Sequence, residues 1–425
     1  MARGNRVAGE AGLPAAFSTV EKQIDAFAYY ARDFGAAGDN TTDDTAALNS
    51  LFLAAANDNR VAVLVGTVGV VFKTSGVVYG TGSSTNNKPC RILGSPKTII
   101  RTTSTTAHVL HIGAGDNIAI GQLVNGWVKD LRLQGPYGEG ASPKNHQAGL
   151  YLNGITQFAV ENVTTTGTDI GFDLFNNCYG ARFVNCRAGF FGANNVGVNL
   201  RHGDESGNQI FFHDCWFSGK VAAYHISGGC DGVVIIGGQI SAGIGQTATQ
   251  DTMGAVTWGK DYESGVIGGV GAVSLLNVDF EGSVHVWFFR GFSSVYMTVQ
   301  NCPLLGNGSA PGAIGIIKTT NSMDSNFSFI NNNVTGTWSG AVSMAVEGDY
   351  GTCYFNEQGW HGNGTFATVY SGDFLSMQRH SNVWRGTALY RTVDGRSQLA
   401  LDGLRLRNNV GTLEKSTDGS TWSAV

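Results

Sequence analysis

Asp279 and Glu281 stand two residues apart in NVDFEG, on either side of a phenylalanine and within a stretch of β-forming residues. On an extended strand, alternate residues share one face, with Cα atoms about 6.5–7 Å apart. Two carboxylates so placed fall within reach of the acid–base pair that breaks a glycosidic bond. A solvated strand surface carries the same pair, so the spacing leaves both roles open. Arg187 and Trp216 take the matching outward place in other hexapeptides of this pattern. A guanidinium pairs with carboxylates, and an indole face suits a sugar ring. Two polar insertions complete the set of candidate substrate contacts. RHGDESGN (201–208) gathers Arg201, Asp204 and Glu205, and the segment 244–265 holds Trp258, Asp261 and Glu263 just upstream of Asp279. The second is expected to wall a groove beside Asp279 and Glu281, although either insertion also reads as an ordinary surface loop.

The element that would hold these residues is a short repeat. A unit Asn/Asp–apolar–x–apolar–x–Gly recurs as DLRLQG (130–135), NVTTTG (162–167), DCWFSG (214–219), NVDFEG (277–282), NCPLLG (301–306) and NNNVTG (331–336). Weaker copies are NCRAGF (185–190) and GQISAG (238–243). Successive starts lie 32, 23, 29, 24, 39, 24 and 30 residues apart, so 23–24 is the base value and the excesses are loops. That is the period of a solenoid of stacked strands. Alternation turns the second and fourth places inward, where Leu131, Val163, Cys186, Cys215, Val278 and Cys302 stack as small hydrophobes. The third place faces out and forms a column: Arg132, Thr164, Arg187, Trp216, Gln239, Asp279, Pro303, Asn333. Such a column suits an extended acidic or neutral glycan.

Composition agrees. Glycine is 61 of 425 residues and proline only 7, which fits many short strands joined by tight turns. Charged residues are 14% and the formal charge is −5, giving no support to a nucleic-acid partner. Seven cysteines without a CxxC pair indicate neither a disulfide framework nor a zinc site, and no metal or cofactor is expected. No window approaches a membrane span, and the first residues lack the apolar core of a secretion signal.

Residues 33–56, DFGAAGDNTTDDTAALNSLFLAAA, begin with glycine breaks. Thr41 lies three before Asp44 in a capping-box arrangement, and Leu48, Leu51, Phe52 and Ala55 give one apolar helical face. A helix followed at once by strands plugs the open end of a stack. The segment DFGAAGDNTTDDTAAL resembles the opening of the pectate-lyase-like superfamily, found in polygalacturonase relatives and in bacteriophage tailspikes. Asn40 stands where that family usually has glycine, a place Asn fills because it tolerates a left-handed backbone.

The resemblance implies an all-β, right-handed parallel β-helix with an N-terminal capping helix and a small C-terminal β element. The expected divisions are an attachment segment (1–32), capping helix and first strands (33–80), the β-helix (81–365) and a C-terminal element for oligomerisation (366–425). The paired Asp-Asp and Gly-His-Gly signatures of polygalacturonases are absent, so the resemblance carries no catalytic residue. It implies a homotrimeric tail protein of a virion, made in the host cytoplasm. That protein would bind other tail proteins through its N-terminal segment and would bind and depolymerise a bacterial surface polysaccharide. A non-enzymatic receptor-binding virion protein and a bacterial polysaccharide lyase or glycoside hydrolase remain the alternatives.

Overall fold

The computed structural model describes residues 27–336 with breaks at 80–88, 114–122, 125, 139–143, 177, 190–193, 202–207, 244–251, 282, 284, 307–312 and 321–324, and beyond 336 the backbone of the strands given below. The chain is a right-handed parallel β-helix divided into two compact units, 1–199 with 203–216, and 200–202 with 217–425.

In the first unit, Val61–Val63, Arg91–Leu93, Trp127–Gln134, Ala159–Thr166, Arg182–Val184 and Asn208–His213 stack in parallel. A second parallel sheet runs Val77–Tyr79, Leu110–Gly113, Ala148–Asn153 and Ile170–Phe175. Between them lie the inward places of the repeat: Leu131, Val163 and Cys186 at the second position, Leu133 at the fourth, all buried. Phe183 stacks on Phe212 with ring centres 4.8 Å apart. Each such side chain contributes about 1.5–3 kcal/mol through burial.

The helix spans Thr45–Asn57, and its buried face is Leu48, Leu51, Phe52, Ala55 and Ala56. Phe52 meets Tyr79 at 5.5 Å between ring centres. The helix starts later than a capping box at Thr41 requires, because Asp39–Asp43 is a strand paired with Val71–Thr74. Asp44 is instead buried and accepts Ala37 N at 2.7 Å and Gly38 N at 3.1 Å. Asp39 accepts Thr41 N and Thr42 N, and those bonds hold its carboxyl well below the usual range. The three acids of the opening motif therefore build turns. Gly38 is required there: its φ is 66° and a Cβ would sit 2.4 Å from Gly69 O. Asn40 does take the left-handed backbone, φ 66°.

The expected attachment segment 1–32 lies outside the described residues up to 26. Its last part belongs to the solenoid, since Ala28–Tyr30 pairs with Val61–Val63.

In the second unit, Asp231–Ile236, Ala272–Leu276, Tyr296–Gln300, Asn326–Ile330, Tyr354–Gln358 and Ser376–His380 stack in register. The companion sheet runs Ala222–Ile226, Gly254–Trp258, Trp287–Gly291, Ile317–Thr320, Val342–Glu347, Thr365–Gly372 and Arg385–Ala388. Parallel coiling thus runs past 365, to Ala388. A small antiparallel sheet follows, through Ser397–Leu401, Leu404–Asn409 and Thr412–Ser416.

The first residue of the repeat has a backbone reason. Asp130, Asn162, Asn185, Asp214, Asn277, Asn301 and Asn331 all have φ between 50° and 57°. The chain turns there by one left-handed residue, and Asn and Asp tolerate that conformation better than other side chains. Asn162 donates to Asp130 Oδ1 at 2.8 Å and Asn185 to Asn162 Oδ1 at 2.7 Å, so corners also bond to one another. The copy at 238–243 sits one residue early. Gln239 faces Asp279, and Gly237 N bonds Leu276 O as a corner residue does, with φ 63°. Asn185→Val, which places a β-branched residue at φ 50° and removes the ladder bond, is expected to cost about 2 kcal/mol in urea unfolding, and Asn185→Gly less than about half of that.

The described cysteines, Cys90, Cys178, Cys186, Cys215, Cys230 and Cys302, are all buried free thiols. Burial pushes Cys178 up to about 12 and Cys302 up to about 11, so they serve as packing.

Candidate functional site

The outward column exists in both units. In the first, Arg132 faces Thr164 and Thr164 faces Arg187 across adjacent strands. Trp216 N then bonds Cys186 O at 2.9 Å, which sets Trp216 beside Arg187. The Arg187 guanidinium lies over the Trp216 ring, 5.5 Å from its centre. Arg132 and Arg187 are exposed and Trp216 is half-buried.

In the second unit, Gln239 faces Asp279, and Pro303 faces Asn333. Asp279 N bonds Gly238 O at 3.0 Å and Glu281 N bonds Ile240 O at 3.2 Å, so both acids lie on ladder positions around buried Phe280. Their environments differ. Asp279 is half-buried, and desolvation followed by the charge of Glu281 raises its carboxyl above the ordinary value. Glu281 is exposed and accepts the Gln239 side-chain amide at 3.3 Å. One carboxyl is thus biased toward holding its proton beside another that stays open to solvent, the division of labour an acid–base pair needs.

The described parts of the two insertions are engaged in the fold. Asp204 and Glu205 lie outside the described residues. Arg201 and Glu263 form an ion pair at 2.5 Å, largely withdrawn from solvent. Asp261 accepts Ser264 N and Oγ at 2.7 Å, Glu263 N at 3.1 Å and Ser227 Oγ at 3.2 Å. Burial alone would raise its carboxyl, yet the Ser264, Glu263 and Ser227 bonds hold it below the ordinary value. Asp261 therefore ties a turn. Lys260 pairs with Ile267, closing the loop into a hairpin whose Tyr262 ring lies 5.6 Å from His225. His225 Nε2 contacts Lys260 O at 2.5 Å. This carbonyl only accepts, so Nε2 donates to it, and Nδ1 lies 2.5 Å from the Thr257 hydroxyl, which also reaches Tyr224 O at 3.3 Å.

The hairpin 260–267 is seated at His225 of the companion sheet, while the first part of the insertion, 244–251, lies outside the described residues. Trp258 corrects an expectation. It is fully buried and its indole N–H donates to Ser293 O at 3.0 Å, so it packs the core and offers no face to a sugar.

The companion sheet also holds a feature that sequence reasoning missed. Its outward places are polar yet buried. In the first unit Tyr151 faces Asp173, and Asn199 donates to Asp173 Oδ1 at 3.1 Å. Tyr151 lies stacked on His108 at 4.2 Å and edge-on to His111 at 4.8 Å. In the second unit His225, Thr257, Arg290 and Lys318 follow in register. The signal was present in AGLYLN, IGFDLF, VGVNL, AAYHI and WFFRG, where one polar residue interrupts each apolar run at the same place.

Among the described residues no group of three or more His, Cys, Asp or Glu stands close enough to hold a metal ion, and no helix is long and apolar enough to cross a membrane.

No family model matches the chain, and no curated protein matches it. Solved structures do. The Dettilon tailspike protein is 11% identical, with a TM-score of 0.61 over 91% of this chain and 77% of that one. The gp42 tailspike of Acinetobacter phage vb_AbaP_AS12 is 12% identical, with a TM-score of 0.50 over 90% of this chain. This chain spans 64% of the length of that second tailspike. At such identities the likeness establishes the fold, a tailspike-like parallel β-helix.

Proposed function

We propose that this chain is a bacteriophage tailspike of the pectate-lyase-like superfamily, carried on the virion tail, that binds a bacterial surface polysaccharide and depolymerises it at Asp279 and Glu281. The observation that carries the reading is the unequal carboxyl pair on one outward strand face. Asp279, with its raised carboxyl, protonates the glycosidic oxygen as the bond breaks, and Glu281 acts as base or nucleophile on the opposite side. A rigid stack of coils fixes both groups, so little geometry is left to form during reaction. Arg187 and Trp216 are sugar contacts on the outward column of the first unit. Arg201, Asp261 and Glu263 shape the hairpin over the companion sheet. A homotrimer fits the reading, with the antiparallel C-terminal sheet as the element that joins chains.

Incubating the full chain with purified capsular and lipopolysaccharide glycans and sizing the products tests the proposal. Shortened chains without ultraviolet-absorbing ends are expected. Glycans bound but left at full length would leave a binding protein without the cleavage, and unsaturated ends would replace hydrolysis by elimination.

A further inference from the structure

The outward column of the first unit carries two exposed arginines, Arg132 and Arg187. Arg132 and Arg187 point outward two coils apart, about 10 Å, with Thr164 between them and Trp216 one coil further. Among the described residues neither arginine forms an ion pair. The acids around them keep their charge but bond to other groups and pair with neither arginine. Asp39 accepts two backbone N–H groups, Asp43 accepts Thr45 N, Asp130 accepts the Asn162 amide, and Asp214 lies 3.2 Å from His213.

Ile99 is the in-register partner of Arg132, and Arg101, two residues along that strand, faces Gln134 and is oriented by Gln134 Oε1 at 2.9–3.0 Å and Asn40 Oδ1 at 2.9 Å, neutral partners that leave its charge in place. The Trp216 ring does the same for Arg187: a cation–π contact stiffens the guanidinium without neutralising it, and leaves its N–H donors available. Two exposed arginines held two coils apart, with no ion-pair partner among the described residues, match an anion that repeats along a chain. The whole chain carries −5, so the positive track is local and not the face of a general polyanion binder.

We infer that Arg132, Arg187 and Trp216 form a binding track for an acidic polysaccharide, one whose repeating unit bears a carboxylate. This rests on the reading of the chain as a polysaccharide-binding tailspike and narrows the class of its ligand.

The test presents the full chain to immobilised bacterial capsular polysaccharides. Uronate-bearing polymers are used both native and after carbodiimide–borohydride reduction of their carboxylates to alcohols. Native acidic polymers are expected to bind, carboxyl reduction to weaken binding about tenfold or more, and Arg132→Gln and Arg187→Gln each to weaken it about tenfold. Raised salt weakens the native polymer and not a reduced one. Equal binding after reduction, a double variant that binds as the parent does, equal affinity for duplex DNA, or no binding to any polymer overturns the inference. Sizing the bound polymer in parallel separates the two readings. An acidic polymer bound but uncut removes the cleavage and keeps the track, whereas a neutral polymer bound and cut removes the track and keeps the cleavage.

Discussion

Asp279→Asn is expected to lower polysaccharide cleavage by about 10²–10⁴-fold while leaving thermal stability level or raised. The two halves of that result come from one cause. Desolvation and the Glu281 charge raise the Asp279 carboxyl, so the group loses its proton less readily in the folded chain than in the unfolded one. A raised carboxyl contributes stability at low pH and loses it as pH rises through the folded value. At neutral pH the ionised group is therefore a cost, which asparagine removes because it copies the neutral carboxyl in size and hydrogen bonding. The same shift suits a general acid, which must still hold a proton where an ordinary aspartate has lost it. Cleavage should accordingly fall as pH rises through the raised value, and Asp279→Asn should abolish that limb of the profile. Glu281→Gln should lower the rate by a similar factor at every pH at which the parent is active, because it removes the base or nucleophile. Product sizing across pH and unfolding followed by circular dichroism check the two halves. An unchanged rate with a lowered unfolding temperature would make Asp279 a structural residue.

The repeat was legible because each of its places is set by a separate local constraint. The left-handed corner restricts the first place to Asn, Asp or Gly, burial restricts the second and fourth, and the alternation of a strand assigns the third to solvent. Cys186, Cys215 and Cys302 were readable as core for the same reason. The helix was readable from its apolar face, but its start was not, because Asp44 is drawn away from the helix end by Ala37 N and Gly38 N. The insertions were the least legible. One coil passes through two sheets, so a place in the order along the chain does not say which sheet an insertion leans on. A loop that leaves the companion sheet after Trp258 lies over His225, whatever strand follows it. The weak copy at 238–243 slipped by one residue because Gly237 and Gly238 both take positive φ, which hides the corner in the sequence.

Trp258→Ala is expected to destabilise the chain by about 3–5 kcal/mol and to leave the polysaccharide affinity of the folded protein unchanged. Tryptophan in a polar insertion reads as a sugar platform, but here the ring is fully buried, with Phe327 6.0 Å away between ring centres and its N–H on Ser293 O. Removing it leaves a large cavity and orphans that carbonyl. The fit is tight enough to dictate a neighbour. Gly291 is the in-register partner of Trp258, and a Cβ at Gly291 would lie 2.0 Å from the indole ring. Gly291→Ala should therefore be destabilising in the parent chain and much less so in the Trp258→Ala background, where the methyl enters the vacated space. That non-additivity identifies a packing contact. Trp216→Ala gives the converse pattern, since its half-buried ring lies on the outward column under Arg187: affinity for the polysaccharide falls while the urea midpoint stays near the parent's. Urea unfolding by circular dichroism and glycan binding on the two variants side by side decide the assignment. Loss of affinity in folded Trp258→Ala would return that residue to the binding surface.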